Sequence, residues 1–232
     1  ASEFSRYGRC KQGLQNSQRA KINLFGLWIL FELTLPQNVA DELKSLYSNK
    51  MVILEYGTGG STLLALESNI ENFVMGCETD GQWLARLSTE IVSRNLSNRF
   101  LPVYQDIGKT KEWGYPCFKE DKYTQERGRQ FLNAPTLPWH ILKKRNLAPD
   151  VVFIDGRFRV ASFIATFLNA RHPCTIIFDD YKDRPYYHIV EKLIKPKKFI
   201  DRTAFFDFRP SIDYEKTGDF INTFLPYYSS MA

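Results

Sequence analysis

The stretch VILEYGTGGSTLLAL, residues 52–66, places an acid, three glycines and three serine or threonine hydroxyls between two apolar runs. MVILEY has the composition of a buried strand, and STLLALES predicts a helix capped by Ser61 or Thr62. Glycine adopts backbone angles that other residues avoid and lets a ligand approach the main chain closely. The stretch therefore predicts a strand, a ligand-binding turn and a helix whose first amides favour a polar or anionic group.

Strand and helix patterns alternate along the rest of the chain. Further apolar strands are predicted at NFVMGCET (72–79), RFLPVYQD (99–106), PDVVFID (149–155) and CTIIFDD (174–180), and a terminal hairpin at FIDRTAFFDF (199–208) and DFINTFLPYYS (219–229). Helices are predicted from the caps Asn38, Asp80 and Asp183, and around Val160 and Phe163. Apolar strands separated by helices indicate an α/β protein with a Rossmann-like, doubly wound, mostly parallel sheet and helices on both faces.

Two regions fall outside this alternation. Residues 5–37 have the pattern of a helical extension, which we expect to cover a cofactor or to pair subunits, and ASEF at 1–4 resembles a cloning scar. The domain itself is expected over 38–232, with an insertion at 107–148 between the third and fourth predicted strands. Trp113, Tyr115 and Trp139 in this insertion are candidates either to stack on a flat substrate or to pack a lid against the body.

Composition narrows the function classes. The 232 residues carry a formal charge of +5 whose densest spots are KKR at 143–145 and KPKK at 195–198, which is more typical of solvated loops than of a nucleic-acid-binding face. The longest apolar stretch, 24–33, is too short to span a bilayer. The four cysteines lack zinc-site spacing, and Cys77 and Cys174 fall in or beside buried strands as reduced thiols would. We expect a cytoplasmic protein without a membrane or nucleic-acid partner.

The acids around the glycines indicate the ligand. A dinucleotide fingerprint needs glycine at position 62, where this chain has Thr62, and the carboxylate of Glu55 would repel a pyrophosphate. That carboxylate instead suits an ammonium or sulfonium group, and S-adenosylmethionine carries both. Glu78, at the end of the second strand, is placed to accept hydrogen bonds from ribose hydroxyls, and Asp106 to contact an adenine amino group. A nucleotide-dependent oxidoreductase is therefore disfavoured.

These residues together carry a family resemblance. EYGTGG at 55–60, Glu78 and Asp106 resemble the class I S-adenosylmethionine-dependent methyltransferases, and several stretches are similar to an uncharacterised bacterial subgroup of them. The resemblance implies a seven-stranded sheet whose last strand is antiparallel. The cofactor-binding residues are predicted to be Glu55, Gly57, Thr58, Gly59, Gly60, Ser61, Thr62, Glu78, Thr79, Trp83, Asp106, Ile107 and Asp155.

A second group of acids, Asp155, Asp179 and Asp180, ends the fourth and fifth strands. Converging carboxylates need positive compensation, which Mg²⁺ would supply by binding all three and activating a substrate hydroxyl. This pattern resembles the metal-dependent O-methyltransferases, although the lysine of the catechol-type members is replaced here by Phe158. The alternative is an ion-pair network in which Arg157, Arg159 and Arg184 neutralise the aspartates. Both interpretations stay open at the level of sequence.

The predicted activity is methylation of an oxygen on a small molecule, and an acidic one if the arginines bind it. The candidate catalytic residues are Asp155, Asp180 and Lys182, with His188 as another candidate base. Two alternatives are a non-catalytic module that binds S-adenosylmethionine and a nucleic-acid methyltransferase.

Overall fold

A seven-stranded sheet lies at the centre of the fold in the computed structural model, which describes residues 21–22, 28–29, 31–117 and 124–210. Two short strands before it, β1 (Lys21–Ile22) and β2 (Trp28–Ile29), pair only with each other. The sheet consists of β3 (Val52–Tyr56), β4 (Phe73–Glu78), β5 (Phe100–Tyr104), β6 (Val151–Ile154), β7 (Cys174–Phe178), β8 (Lys198–Ile200) and β9 (Thr203–Phe208).

The order across the sheet is β5-β4-β3-β6-β7-β9-β8. From β3 the chain first adds β4 and β5 on one side and then returns to add β6 and β7 on the other, so the strand order reverses between β3 and β6. Strands β5 to β7 in this order are mutually parallel, and β9 runs antiparallel to both of its neighbours. The expected seven-stranded sheet with an antiparallel last strand is confirmed. The terminal hairpin, however, lies wholly within residues 198–208. Its predicted second strand, 219–229, lies outside the described residues.

Helices cover both faces because each strand is apolar on both sides. Adjacent residues such as Ile53 and Leu54 enter different apolar clusters, one on each face of the sheet. The helices are α1 (Gln37–Leu46), α2 (Gly60–Ser68), α3 (Gly81–Ser93), α4 (Gln125–Lys144) and α5 (Arg159–Asn169), and a 3-10 helix spans Pro185–Lys192. Apolar clusters on both faces bury the sheet almost completely. A ligand can therefore reach it only at the ends of its strands.

Of the predicted helix caps, only Asp80 is confirmed; its carboxylate accepts from the amides of Gln82 and Trp83. Helix α1 instead begins after the extended Pro36, which places Asn38 inside its first turn. Helix α2 begins after Gly59, whose amide donates to the Thr62 hydroxyl at 3.0 Å. The segment after Asp183 forms a 3-10 helix capped at Arg184 rather than an α-helix.

About half of the predicted insertion, residues 107–148, is the 20-residue helix α4, and the sequence analysis assigned no helix there. Proline lacks the N–H that would bond to the carbonyl four residues earlier. For Pro138 that carbonyl belongs to Ala134, and the side-chain amide of Gln105 donates to it instead. The Tyr56 hydroxyl donates to the Pro135 carbonyl at 2.6 Å and accepts from the Trp139 indole at 2.9 Å. Trp139 therefore packs in the core and does not stack on a substrate.

The N-terminal segment differs from the predicted helical extension in its described part. Residues 21–22 and 28–29 are strands, and 31–36 contain no helix, so the helical prediction is wrong for these residues. Phe31 and Leu35 pack into the apolar cluster of α1, α2 and α3. No helix in the described ranges is long and apolar enough to cross a membrane. Cys77 and Cys174 are free and buried as expected, whereas Cys117 is disulfide-bonded, which a reducing compartment does not predict.

Candidate functional site

The turn between β3 and α2 packs closely against two other backbone segments, residues 155–156 after β6 and residues 32–33 before α1. Gly57 has φ +89°, and a Cβ on it would lie 2.5 Å from the backbone nitrogen of Gly156, after β6. A Cβ on Gly60 would lie 2.8 Å from the carbonyl oxygen of Glu32. Only glycine fits these positions, because backbone atoms that cannot move aside fill the space. We call the region of this turn together with Glu55 and Glu78 the glycine-loop cleft.

Glu55 is the buried acid of the glycine-loop cleft, with 2% of its surface exposed. Its two carboxylate oxygens accept from the Ser61 hydroxyl and, at 2.5 Å, from the Thr62 hydroxyl. Burial raises the pKa of Glu55 to about 8, although both hydroxyl hydrogen bonds act to lower it. Within the described residues no ion pair reaches this carboxylate, so a cationic ligand group would find an uncompensated acid there.

Glu78 ends β4 beside the same turn. Its carboxylate accepts from the backbone amides of Thr79 at 2.7 Å, Asp80 at 3.0 Å and Thr58 at 3.2 Å. Burial raises its pKa, and these amides act in the opposite direction. The carboxylate thus joins the glycine turn to the start of α3, and its orientation is fixed by three groups that cannot rotate.

Three other predicted cofactor-binding residues, Trp83, Asp106 and Ile107, have different surroundings. The Trp83 indole donates to the Thr58 carbonyl at 2.7 Å and packs edge-on against Phe31. Asp106, beyond β5, is exposed and accepts from the Gly108 amide at 2.8 Å. The Ile107 side chain, in contrast, is completely buried in a small cluster around α4 and α5. The structure therefore does not bring the Ile107 side chain to the cleft.

The start of the insertion folds over the Glu78 side of the cleft. The Thr79 hydroxyl donates to the Gly114 carbonyl at 3.3 Å. A Cβ on Gly114, whose φ is +68°, would lie 2.5 Å from that hydroxyl and 3.5 Å from a Glu78 carboxylate oxygen. The neighbouring Trp113 also has a left-handed backbone, φ 61°, and its side chain is 70% exposed. Bulky residues adopt this conformation rarely, and such strain is common at functional sites.

Asp155, Asp179 and Asp180 converge as expected, and we call them the aspartate cluster. One carboxylate oxygen of each lies within 4.8 Å of the others, and an ion could bridge them at that spacing. Asp179 is almost fully buried and accepts from the Thr203 hydroxyl at 2.5 Å. Desolvation in the cluster raises the pKa of Asp155 to about 6, while the nearby Arg159 guanidinium lowers it.

Guanidinium groups already occupy these carboxylates. Arg159, only 3% exposed, lies 2.9 Å from an Asp155 carboxylate oxygen and 3.2 Å from one of Asp180. Arg184 approaches Asp180 to 2.7 Å. Arg202, on the turn between β8 and β9, approaches Asp179 to 3.0 Å and Asp180 to 2.8 Å.

This arrangement does not fit a divalent cation. Mg²⁺ needs carboxylate oxygens with free lone pairs and an excess of negative charge. Three guanidiniums balance the three carboxylates here and contact at least one oxygen of each. No step of a reaction is therefore assigned to a metal, and the ion-pair interpretation of the cluster fits the described residues.

The arginines of this network are not the predicted set. Arg157 is absent from it; its guanidinium carbon lies 4.1 Å from the centre of the Tyr115 ring. Arg202 replaces it, and sequence reasoning missed this residue because the hairpin register that brings it to Asp179 is set by pairing with β7. Gly114, which lies beside Glu78, was also missed, because an isolated glycine in a loop is only a weak sequence signal of a functional site.

Two candidate bases lie outside the aspartate cluster. The Lys182 side chain is exposed and forms no ion pair with the cluster within the described residues. The His188 ring stacks on Tyr181 at 4.8 Å between centres and lies 3.2 Å from the Tyr181 carbonyl. Phe158, where catechol-type enzymes have lysine, is buried with φ 57°. Asp155, in contrast, follows β6 directly beside the glycine turn, since a Cβ on Gly57 would lie 2.8 Å from its carbonyl carbon.

Comparison with known proteins finds similarity among solved structures. No protein-family model and no curated protein matches the chain. A crystal structure of a methyltransferase-like protein from Silicibacter pomeroyi is 33% identical, with a TM-score of 0.71, and the match covers 83% of this chain and 96% of that one. A cofactor-bound protein from MTB is 14% identical over 78% of this chain and 84% of its own, with a TM-score of 0.51, and shares the fold alone.

Proposed function

Because the chain belongs to the class I methyltransferase family, we propose that it transfers the methyl group of S-adenosylmethionine to an oxygen of a small molecule. The observation that carries this proposal is the glycine-loop cleft, where a buried carboxylate, Glu55, and a half-buried one, Glu78, flank a turn that only glycine can form. A donor with a positive charge and a ribose complements both acids.

In this proposal the donor lies along the ends of β4 and β3. The Glu78 carboxylate, already oriented by three backbone amides, accepts hydrogen bonds from the ribose hydroxyls. Glu55 and the hydroxyls of Ser61 and Thr62 form the polar surface beneath the methionine portion. Asp106, exposed beyond β5, contacts the adenine amino group.

Methyl transfer then proceeds in line. A lone pair of the acceptor oxygen attacks the methyl carbon, the carbon–sulfur bond breaks, and its electrons stay on sulfur as S-adenosylhomocysteine forms. Asp155 takes the proton of the acceptor hydroxyl, because its pKa of about 6 leaves it ionised yet basic near neutral pH. Arg159 keeps the Asp155 carboxylate oriented, at 2.9 Å. Positioning of the two reactants supplies much of the rate acceleration.

The acceptor is proposed to be a small molecule. We expected an acidic acceptor because arginines lie near the site. Two of them, Arg159 and Arg184, are paired with aspartates, so the charge of the acceptor stays a prediction. The nucleic-acid alternative predicts salt-dependent retention on RNA or DNA, and the non-catalytic alternative predicts donor binding without turnover.

Donor binding and turnover test the proposal separately. Calorimetry should detect binding of S-adenosylhomocysteine in the micromolar range, and labelled S-adenosylmethionine should methylate members of a panel of phenols and hydroxy acids. Asp155→Asn should lower turnover by about 10²–10⁴-fold while donor binding persists. Asp183→Asn, which removes an exposed carboxylate outside the aspartate cluster, is the matched control. Failure of the wild-type protein to bind the donor at millimolar concentration would refute the proposal.

A further inference from the structure

Arg157 differs from the other arginines at this edge of the sheet. Arg159, Arg184 and Arg202 are each within 3.0 Å of a carboxylate oxygen of the aspartate cluster. Arg157 forms no ion pair or hydrogen bond within the described ranges, and its Nε is buried without a partner. A buried donor without an acceptor costs free energy, so a ligand that supplies an acceptor would bind there favourably.

The position of Arg157 places it over the glycine-loop cleft. Residue 156 packs against Gly57, so Arg157 begins directly beside the glycine turn. Its guanidinium reaches Tyr115, and the adjacent Gly114 lies against Thr79 and Glu78 at the end of β4. Because β3 lies between β4 and β6 in the sheet, the contact from Arg157 passes over the end of β3, which carries Glu55, to the end of β4.

Tyr115 orients the guanidinium. The Arg157 Cζ lies 4.1 Å from the Tyr115 ring centre, a stacked arrangement that leaves the in-plane N–H groups available. A Cβ on Gly114 would lie at an ordinary van der Waals distance, 3.8 Å, from the Arg157 Cγ, so the insertion loop runs beside this side chain. A planar guanidinium held in this way can bind a carboxylate through two parallel hydrogen bonds.

The donor carries the group that this site lacks. Its amino-acid portion has an ammonium, for which the cleft offers Glu55, and a carboxylate, which the acids of the cleft would repel. We propose that Arg157 binds the carboxylate of the donor's amino-acid portion and that Tyr115 is the positioning residue for its guanidinium. This inference rests on the proposed function, since it assumes that the donor occupies the glycine-loop cleft.

A matched pair of ligands tests the assignment without knowledge of the acceptor. S-adenosylmethionine and its decarboxylated analogue both carry the sulfonium and the amine, and they differ in the carboxylate. Calorimetry on the wild-type protein should give about 10–100-fold tighter binding of the carboxylated ligand. In Arg157→Gln this preference should fall to about twofold or less, because affinity for S-adenosylmethionine drops and affinity for the analogue stays.

Three further variants separate recognition from general effects. Arg129→Gln removes one positive charge from an exposed position on α4 and should keep the wild-type preference. Arg157→Lys keeps the charge without the planar fork and should retain part of the preference. Tyr115→Phe should match the wild type, whereas Tyr115→Ala should reduce the preference because the guanidinium is no longer held. Thermal melts of each unliganded variant establish that it is folded.

The possible results distinguish the two proposals. If the wild-type protein binds neither ligand, the proposed function fails. If it binds both ligands and Arg157→Gln keeps the wild-type preference, or loses affinity equally for both, the assignment of Arg157 is wrong while the proposed function stands.

Discussion

The glycine-loop cleft and the aspartate cluster are both built from acids at the carboxyl ends of strands, but their charges are balanced by different partners. Glu55 and Glu78 are held by hydroxyls and backbone amides, none of which carries a compensating positive charge. Asp155, Asp179 and Asp180 face three guanidiniums, which cancel theirs. An acid held by neutral donors can still attract a cationic ligand, whereas an acid paired with arginine already has its partner. Residue type alone therefore does not identify a binding site.

Removing Arg159 should produce the largest effect. Arg159→Met leaves the half-buried Asp155 carboxylate without its ion-pair partner and three carbonyls without their donor, so the free energy of unfolding should fall by about 3–5 kcal/mol. Urea unfolding measures this change. Arg157→Met, two residues earlier and outside the network, should lose no more than about 1 kcal/mol. Equal losses in the two variants would show that the aspartate cluster does not depend on its arginines.

Glu78→Gln should weaken donor binding and leave the aspartate cluster intact. The substitution keeps the shape of the side chain and removes the charge that binds the ribose hydroxyls, so affinity for S-adenosylhomocysteine should fall about 10–100-fold. Calorimetry measures the affinity. Glu71→Gln, at an exposed position before β4, is the control. Unchanged affinity in Glu78→Gln would remove this carboxylate from the binding site.

Protonation of Glu55 should be linked to donor binding. Its pKa of about 8 lies above the ordinary value of 4.5, so its contribution to stability is complete below pH 4.5 and is lost as the pH rises towards 8. A bound cation favours the ionised carboxylate, so donor binding at pH 7.5 should release roughly 0.8 proton and strengthen as the pH rises to 8.

Calorimetry in buffers of different ionisation enthalpy measures this proton release. In Glu55→Gln the heat should no longer depend on the buffer. Equal heats in all buffers for the wild-type protein would mean that the Glu55 carboxylate does not change its protonation when the donor binds.

Magnesium should have the smallest effect. Because arginines occupy the aspartate cluster, millimolar Mg²⁺ should shift the melting temperature by less than about 1 °C, and chelation by EDTA should leave methyl transfer unchanged. Differential scanning fluorimetry and the labelled-methyl assay measure these effects. Loss of turnover in EDTA that Mg²⁺ restores would reverse our interpretation of the aspartate cluster.

The sheet and the acids of the cleft could be predicted because their signals are local. An apolar strand followed by glycines and a helix, as at residues 52–66, commonly forms a strand–turn–helix unit of a parallel sheet. Glu55 and Glu78 lie in the last residues of apolar runs, so their positions at strand ends could be read from the chain. Helix α4 could not be predicted in this way. Its prolines argue against a helix, and it is completed by hydrogen bonds from Tyr56 and Gln105, which lie far away in sequence.

The sequence by itself determined the alternating α/β order, the glycine turn and the presence of acids at the ends of β3, β4, β6 and β7. Only the tertiary structure decided which of these acids are neutralised, because that depends on arginines brought from other elements. Arg202 reaches Asp179 through the pairing of β9 with β7, and Arg157 is drawn to Tyr115 instead of the aspartates. The interaction of two charges depends on the distance between them, and these side chains come close to one another only when the sheet has formed.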